Sequence, residues 1–417
     1  FENPLSAPFI SVWDKVPEEI KNTNAFKRFE WFYGTRLNEY EDFPVEHFNQ
    51  QKAIELQKAE ENSDVPESNS WTNIGPKGID MAGSQIASHW GTVSGRIRGL
   101  CIHPANSDIV YTGAAAGGIW KTTNGGISWE DKSSGLNMLT FGAIAIDSSN
   151  PNTVYAGTGE SRWGYNFTTF EGDGLYKSTN GGDSWQRITD GFGSRTQFSD
   201  IVVSPSNPNI IIASISAAYT NNQNPGNQGI WRSTNAGINW TRVKQGSGVF
   251  DIAFHPTDGN IAYAAIGDQR SSGFFISTDA GLSWVNSNTG LPAESKIARM
   301  QFDISKSNPS IIYCVIYNNK FISGNRRTCA YKSTNGGESW SQISTGVNIA
   351  GYSGTKVLDQ GGYDLCIAVN PVDPQTVFFG NVELSKTING SNISFVRNPN
   401  GYYQGKRSWD SWTHVDI

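Results

Sequence analysis

Thr122-Thr123-Asn124-Gly125-Gly126-Ile127-Ser128-Trp129 decides the fold, because the chain writes it repeatedly. It returns as Ser178-Thr179-Asn180-Gly181-Gly182-Asp183-Ser184-Trp185 and as Ser233-Thr234-Asn235-Ala236-Gly237-Ile238-Asn239-Trp240. Two further copies are Ser277-Thr278-Asp279-Ala280-Gly281-Leu282-Ser283-Trp284 and Ser333-Thr334-Asn335-Gly336-Gly337-Glu338-Ser339-Trp340. A worn copy, Thr387 to Phe395, has one extra residue and ends on Phe. The closing aromatics are 56, 55, 44, 56 and 55 residues apart. A repeat of that size describes a unit that buries its apolar face only against its neighbours.

The octet reads as a hairpin turn. Asn or Asp at the third position can accept backbone N–H groups further on, and Gly at the fifth permits positive φ. The hydroxyls can bond nearby backbone, and the closing Trp drops into apolar space as the next strand starts. The pattern S/T-x-D/N-x-G-x-x-W resembles the Asp-box of the BNR-repeat β-propellers, a resemblance that covers residues 71–417. It implies that Asn124 with Trp129, Asn180 with Trp185, Asn235 with Trp240, Asp279 with Trp284 and Asn335 with Trp340 are structural staples. Most copies carry Asn, and one oxygen per turn makes a poor cation cage, so no metal is expected.

Composition narrows the class. The 417 residues hold 45 Gly and 14 Trp at a formal net charge of −6, which suits an all-β repeat protein with a shared core. With no basic run, nucleic acid is not an expected partner, and no apolar stretch is long enough for a membrane-spanning segment. The chain starts at Phe1, as a mature product would after loss of a signal segment. Cys314 and Cys329 fall in successive strands and could form a cross-strand disulfide if they face each other, whereas Cys101 and Cys366 read as buried thiols. No Cys/His spacing suggests zinc, and no motif calls for a cofactor.

Residues 1–70 differ from the rest. Aromatics at helical spacing between Glu18 and Tyr33, ended by Gly34, and an apolar pattern from Val45 to Glu61 predict an N-terminal helical segment, followed by a polar linker. Trp71-Thr72-Asn73-Ile74 has the form of the short strands that follow each octet, as in Trp185-Gln186-Arg187-Ile188. It is expected to close the ring as the outermost strand of the last blade. Each repeat parses into four antiparallel strands, and Ser408 to Ile417 begins a seventh inner strand and stops. The expectation is a β-propeller of at least seven four-stranded blades, the last incomplete.

Binding residues are sought on loops and at the axial channel. The long loop after the second blade's second strand carries Glu160, Trp163, Tyr165, Phe170 and Asp173, aromatics beside carboxylates as in carbohydrate or peptide recognition. The alternative is that its rings pack the loop down. Inner strands open with Arg96 and Arg98, then Asp200, Asp251 and Asp364, a set that could bind a ligand or cap strand-end N–H groups.

Three relatives of the Asp-box group are weighed. Sialidases carry Arg-Ile-Pro, and Gly95-Arg96-Ile97-Arg98 lacks the Pro. Xyloglucanase-type hydrolases read Thr-Asp-x-Gly-Gly in the first blade, with a catalytic Asp; here Ala114-Ala115-Ala116-Gly117-Gly118 puts Ala115 in that place. A glycosidase short of one carboxylate cannot run the usual chemistry. The segments Trp71 to Pro76, Ser94 to Ile97 and Gly117 to Thr122 resemble sortilin-like proteins of the secreted "glycosyl-hydrolase-like" bacterial group, some exported by the type IX route. That resemblance, to a group without demonstrated activity, implies a secreted or cell-surface module that binds carbohydrate or protein ligands on its loop face, with a cell-surface or secretion-machinery partner. The alternative is a glycoside hydrolase or lyase using Glu160, Asp173 and the channel residues Asp200, Asp251 and Asp364.

Overall fold

The computed structural model describes residues 96–395 except short stretches at 162–169, 189–190, 193–195, 217–225, 247, 268–270, 319–327, 345–348, 350–351, 354–355, 358–360 and 382–383, together with the strand pair Ile79–Asp80 and Thr92–Val93. The helical segment expected over 1–70, the strand Trp71 to Ile74 and the seventh inner strand over 408–417 lie outside the described residues.

Among the described residues six four-stranded antiparallel sheets follow one another as the six blades of a propeller. Blade one holds Ile97–Ile102, Val110–Ala114, Ile119–Thr122 and Glu130–Asp131, and blade two Phe141–Ile146, Val154–Thr158, Leu175–Ser178 and Gln186–Ile188. Blade three holds Phe198–Val203, Ile211–Ile215, Gly229–Ser233 and Thr241–Gln245, and blade four Val249–Phe254, Ala262–Ile266, Gly273–Ser277 and Val285–Asn286. Blade five holds Ile297–Ile304, Ile312–Asn318, Thr328–Ser333 and Ser341–Gln342, and blade six Cys366–Val369, Val377–Gly380, Leu384–Thr387 and Ile393–Phe395. Blade six therefore has a fourth strand of its own.

Burial follows the strand order. Second strands such as Val154–Thr158 and Ile211–Ile215 are buried throughout, while fourth strands such as Glu130–Asp131 are exposed. The core consists of layers between blades: Tyr155, Phe192, Phe198, Trp231 and Trp240 fill one, with Phe192 and Phe198 rings 5.1 Å apart edge to face. A β-bulge interrupts the first strand of blades one to five, between Ile97 and Gly99, Phe141 and Ala143, Phe198 and Asp200, Val249 and Asp251, and Ile297 and Arg299. A bulge re-aims the side chains beyond it, and here it does so at the start of the inner strand in five of the six blades.

The octets are turns of one pattern. In blade two the Ser178 hydroxyl accepts from Asn180 N at 3.3 Å and Gly182 N at 2.9 Å and donates to Asn180 Oδ1 at 2.9 Å. Asn180 Oδ1 then accepts from Ser184 N at 3.0 Å. The fifth-position glycines have φ of 80–90°, but the fourth position is also left-handed, at 66–70° for Gly125, Gly181 and Gly336 and at 54° and 56° for Ala236 and Ala280.

That fourth residue is a joint. Its N–H donates to the first hairpin of its own blade, as Gly181 N does to Asn152 O at 2.8 Å and Ala236 N to Asn209 O at 3.0 Å. Its carbonyl accepts from the blade before: Tyr111 Oη and Lys121 Nζ reach Gly181 O, and Tyr155 Oη and Lys177 Nζ reach Ala236 O, all at 2.8–3.1 Å. Arg232 Nε reaches Ala280 O at 2.8 Å in the same way.

The disulfide is not formed. Cys314 pairs with Tyr331 and Ile316 with Cys329, so the two thiols sit two residues out of register. Diagonal neighbours stand about 7–8 Å apart, beyond the Cα separation a disulfide spans. Both sulfurs belong to the layer between blades four and five, and burial pushes the Cys314 thiol well up.

Candidate functional site at the channel mouth

The residues at the axial ends of the inner strands form one charged cluster. Arg96 and Arg98 flank Ile97 at the start of blade one, and both reach Glu160 at the end of blade two's second strand. Arg96 Nη2 donates to Glu160 Oε2 at 2.6 Å, Arg98 Nε lies 3.8 Å from Oε1, and Arg98 Nη2 donates to Ser161 O at 3.2 Å. The Glu160 side chain is wholly buried, and its backbone N–H is fixed on Phe170 O at 2.9 Å. Ala115, in the place where the xyloglucanase pattern has its Asp, is buried and bonds through its N–H to Arg96 O at 3.0 Å.

Asp173 is also turned inward. Its Oδ2 lies 3.0 Å from Arg187 Nε and accepts the Tyr176 hydroxyl at 3.1 Å, while its N–H donates to Thr158 Oγ1 at 2.8 Å. Burial pushes its carboxyl up, against the pull of Arg187. Phe170 is half-buried; Trp163 and Tyr165 lie outside the described residues.

On the inner strands of blades three and four Asp200 and Asp251 stand together. Asp200 accepts from Ile201 N at 2.7 Å and from Ile252 N of the next blade at 3.2 Å, and Asp251 accepts from Phe302 N at 2.9 Å. The two carboxyls hydrogen-bond each other. Burial raises both, Asp200 to about 7 and Asp251 well above the ordinary value, and the charge of Asp200 adds to the rise at Asp251. Asp303, which sequence reasoning missed, repeats the arrangement one joint on and accepts from Val369 N of blade six at 2.7 Å.

Arg299 was missed as well. It is buried, donates to the carbonyls of Gly362 and Tyr363, and lies over the Phe250 ring at 5.6 Å. Burial pushes its guanidinium down to about 9, Arg98 adds repulsion, and Asp364 and Asp251 oppose the shift. Asp364 is buried beside it. The sequence signal was an arginine inside the apolar run Ile297-Ala298-Arg299-Met300, at a bulge. Arg96 completes the circuit, its guanidinium 5.4 Å from the Tyr363 ring.

Among the described residues no group of three or more His, Cys, Asp or Glu side chains is placed to hold a metal, and no helix is long and apolar enough to cross a membrane. The cluster offers hydrogen-bond donors, a shared proton and ion-paired carboxylates.

Fold and site together define a β-propeller with its polar groups gathered at the axis. The family model described as "Sortilin, neurotensin receptor 3" matches residues 228–388. A xyloglucanase of a Paenibacillus species is 24% identical over 235 residues, 46% of this chain and 21% of that protein. A xyloglucanase of Hypocrea jecorina (strain QM6a) is 31% identical over 115 residues, 24% of this chain and 14% of its own length. The chain thus spans no more than 21% of either relative. Two solved structures share the fold. An ancestral GH74 enzyme gives a TM-score of 0.53 at 20% identity, over 72% of this chain and 38% of the other. The GH74 enzyme of Niastella koreensis gives 0.52 at 19%, over 72% and 45%.

Proposed function

We propose that this chain is a propeller of a carbohydrate-active protein directed at a xyloglucan-type polysaccharide, and that glycoside hydrolysis is its best-supported activity. The observation that carries the proposal is the 235-residue match to a bacterial xyloglucanase. The octets, read as Asp-boxes, agree with it. In this reading the polymer lies on the loop face, where Trp163, Tyr165 and Phe170 offer flat apolar surfaces to sugar rings. Arg96, Arg98, Asp200, Asp251 and Asp364 shape the mouth of the channel below. Such a polymer lies outside cells, and the protein is accordingly assigned to the secreted or cell-surface fraction.

Hydrolysis needs an acid and a second carboxylate about 5–10 Å apart. Glu160 and Asp173 are the candidates in this chain, and substrate would have to draw them out of their pairs with Arg96 and Arg187. A second reading, retention of the polymer without turnover, is favoured by one observation: Ala115 leaves the xyloglucanase position without a carboxylate.

The test is incubation with xyloglucan, with reducing ends and gel retardation measured side by side. New reducing ends that disappear in Glu160→Gln support hydrolysis. Retardation without reducing ends, lost in Trp163→Ala/Tyr165→Ala, supports the binding reading. Neither retardation nor turnover sinks both.

A further inference from the structure

Each blade has one face toward the blade before and one toward the blade after. Ile144 of blade two packs back against Gly99 of blade one, and Tyr111 of blade one reaches forward to Gly181. Leu100 occupies the register of Ile144, each opposite the third residue of its blade's second strand. Ile201, Ile252 and Phe302 occupy it in blades three to five. Those four counterparts are at most 5% exposed, but Leu100 is 54% exposed and Ile102 next to it 53%. On the forward side, Phe378 of blade six stands where Tyr111, Tyr155, Ile212, Tyr263 and Tyr313 stand. Those five are at most 3% exposed, and Phe378 is 36%.

The octets repeat the contrast. Gly182, Gly237, Gly281 and Gly337 are buried, with side chains of the preceding blade close by, whereas Gly126 of the first octet is exposed. Successive inner strands lie side by side from blade one to blade six. Between six and one, Arg96 reaches over Tyr363 at the channel mouth, but among the described residues the two inner strands are not flanking neighbours. Among the described residues, two apolar faces and one octet, all at the same junction, lack the cover that the other junctions supply.

We propose that this junction is a docking surface and that its occupant is the chain's own segment 408–417, laid as an inner strand between blades six and one. His414-Val415-Asp416-Ile417 repeats Val249-Phe250-Asp251-Ile252 and Phe198-Ser199-Asp200-Ile201. In that register Ile417 takes the place of Ile201 and Ile252, facing the blade before, which is the Phe378 side. Asp416 takes the place of Asp200 and Asp251, whose carboxyls accept the N–H of Ile252 and Phe302 in the next inner strand. The N–H in that position on blade one belongs to Leu100. The segment thus offers an apolar side chain to one face and a carboxyl to the other, the complement each requires.

The test compares the full chain with one ending at Arg407, by amide exchange over 97–102 and 366–369 and by binding of an apolar dye. The expected result is that removing 408–417 speeds exchange in those two strands alone and raises dye binding several-fold. Ile417→Asp in the intact chain gives the same readout should the shortened chain not accumulate. Unchanged exchange and dye binding in both variants overturn the proposal. A concentration-dependent dimer that persists without 408–417 and dissociates in Phe378→Ser overturns it too, since a second copy then holds the face.

Discussion

Two alanines hold a conformation that the other octets assign to glycine. Ala236 and Ala280 sit at φ of 54° and 56°, where an L side chain crowds its own carbonyl. Replacing either by Gly removes that strain at the cost of a looser unfolded chain, for an expected net gain of about 0.5–1 kcal/mol in denaturant unfolding. The single carboxylate among the octets gives a second prediction. Burial pushes Asp279 up, but hydrogen bonds from Ser283, Ser277 and Leu282 outweigh it and hold it at about 2. A depressed carboxylate adds stability that is present above the unfolded value of 3.8 and lost as pH falls toward 2. Asp279→Asn is expected to lose less stability across that window than the parent, as read from acid titrations of ellipticity. Equal acid loss in both would place the sensitivity elsewhere.

Between elements, the joint predicts where a small change is felt. The Tyr155 hydroxyl and Lys177 both donate to Ala236 O across a blade junction. Tyr155→Phe leaves the ring in its layer and removes one buried donor, an expected loss of about 1 kcal/mol. An unchanged unfolding midpoint would show that Lys177 alone holds the carbonyl. These joints explain what the sequence could and could not disclose. The octets were legible because their hydrogen bonds close within eight residues, and the strands because second strands such as Ile211–Ile215 are unbroken apolar runs. The acceptor of Tyr155 lies 81 residues downstream, and no local pattern points to it. Cys314 and Cys329 show the same limit: register across blade five depends on a loop length, and an offset of two leaves the face unchanged while taking the thiols out of reach. Of the candidate site, the charged residue types at strand starts were visible. That Glu160 would be buried between two arginines, and Arg299 brought to Asp364, depends on bulges and ring closure.

For the whole molecule, the carboxyl pair at the axis couples the propeller to pH. Asp200 is raised from 3.8 to about 7, so the native state binds more protons than the unfolded chain within that interval. Stability is therefore full on the acid side of 3.8 and declines as pH rises through about 7. Asp200→Asn removes that titrating carboxyl and is expected to lessen the fall of the thermal midpoint between those limits. A midpoint that falls as steeply in the variant would exclude the shared proton as its cause.

The joint peptide also gives the ring a direction. The second, third and fourth octets tuck this carbonyl beneath the blade before them, so the blades overlap in one sense, as roof tiles do. The first octet is the eave: Gly126 is exposed, and among the described residues no side chain of another blade is laid across it. A protease or a pulling force meets different edges at the two ends of such a course. Lifted from blade one, a tile comes away with its neighbour's fastening; lifted from blade six, it must first be drawn out from under Tyr313 and Lys332, which hold the Pro374 carbonyl and Gln375. Damage to this fold should spread along the chain in the order in which it was made.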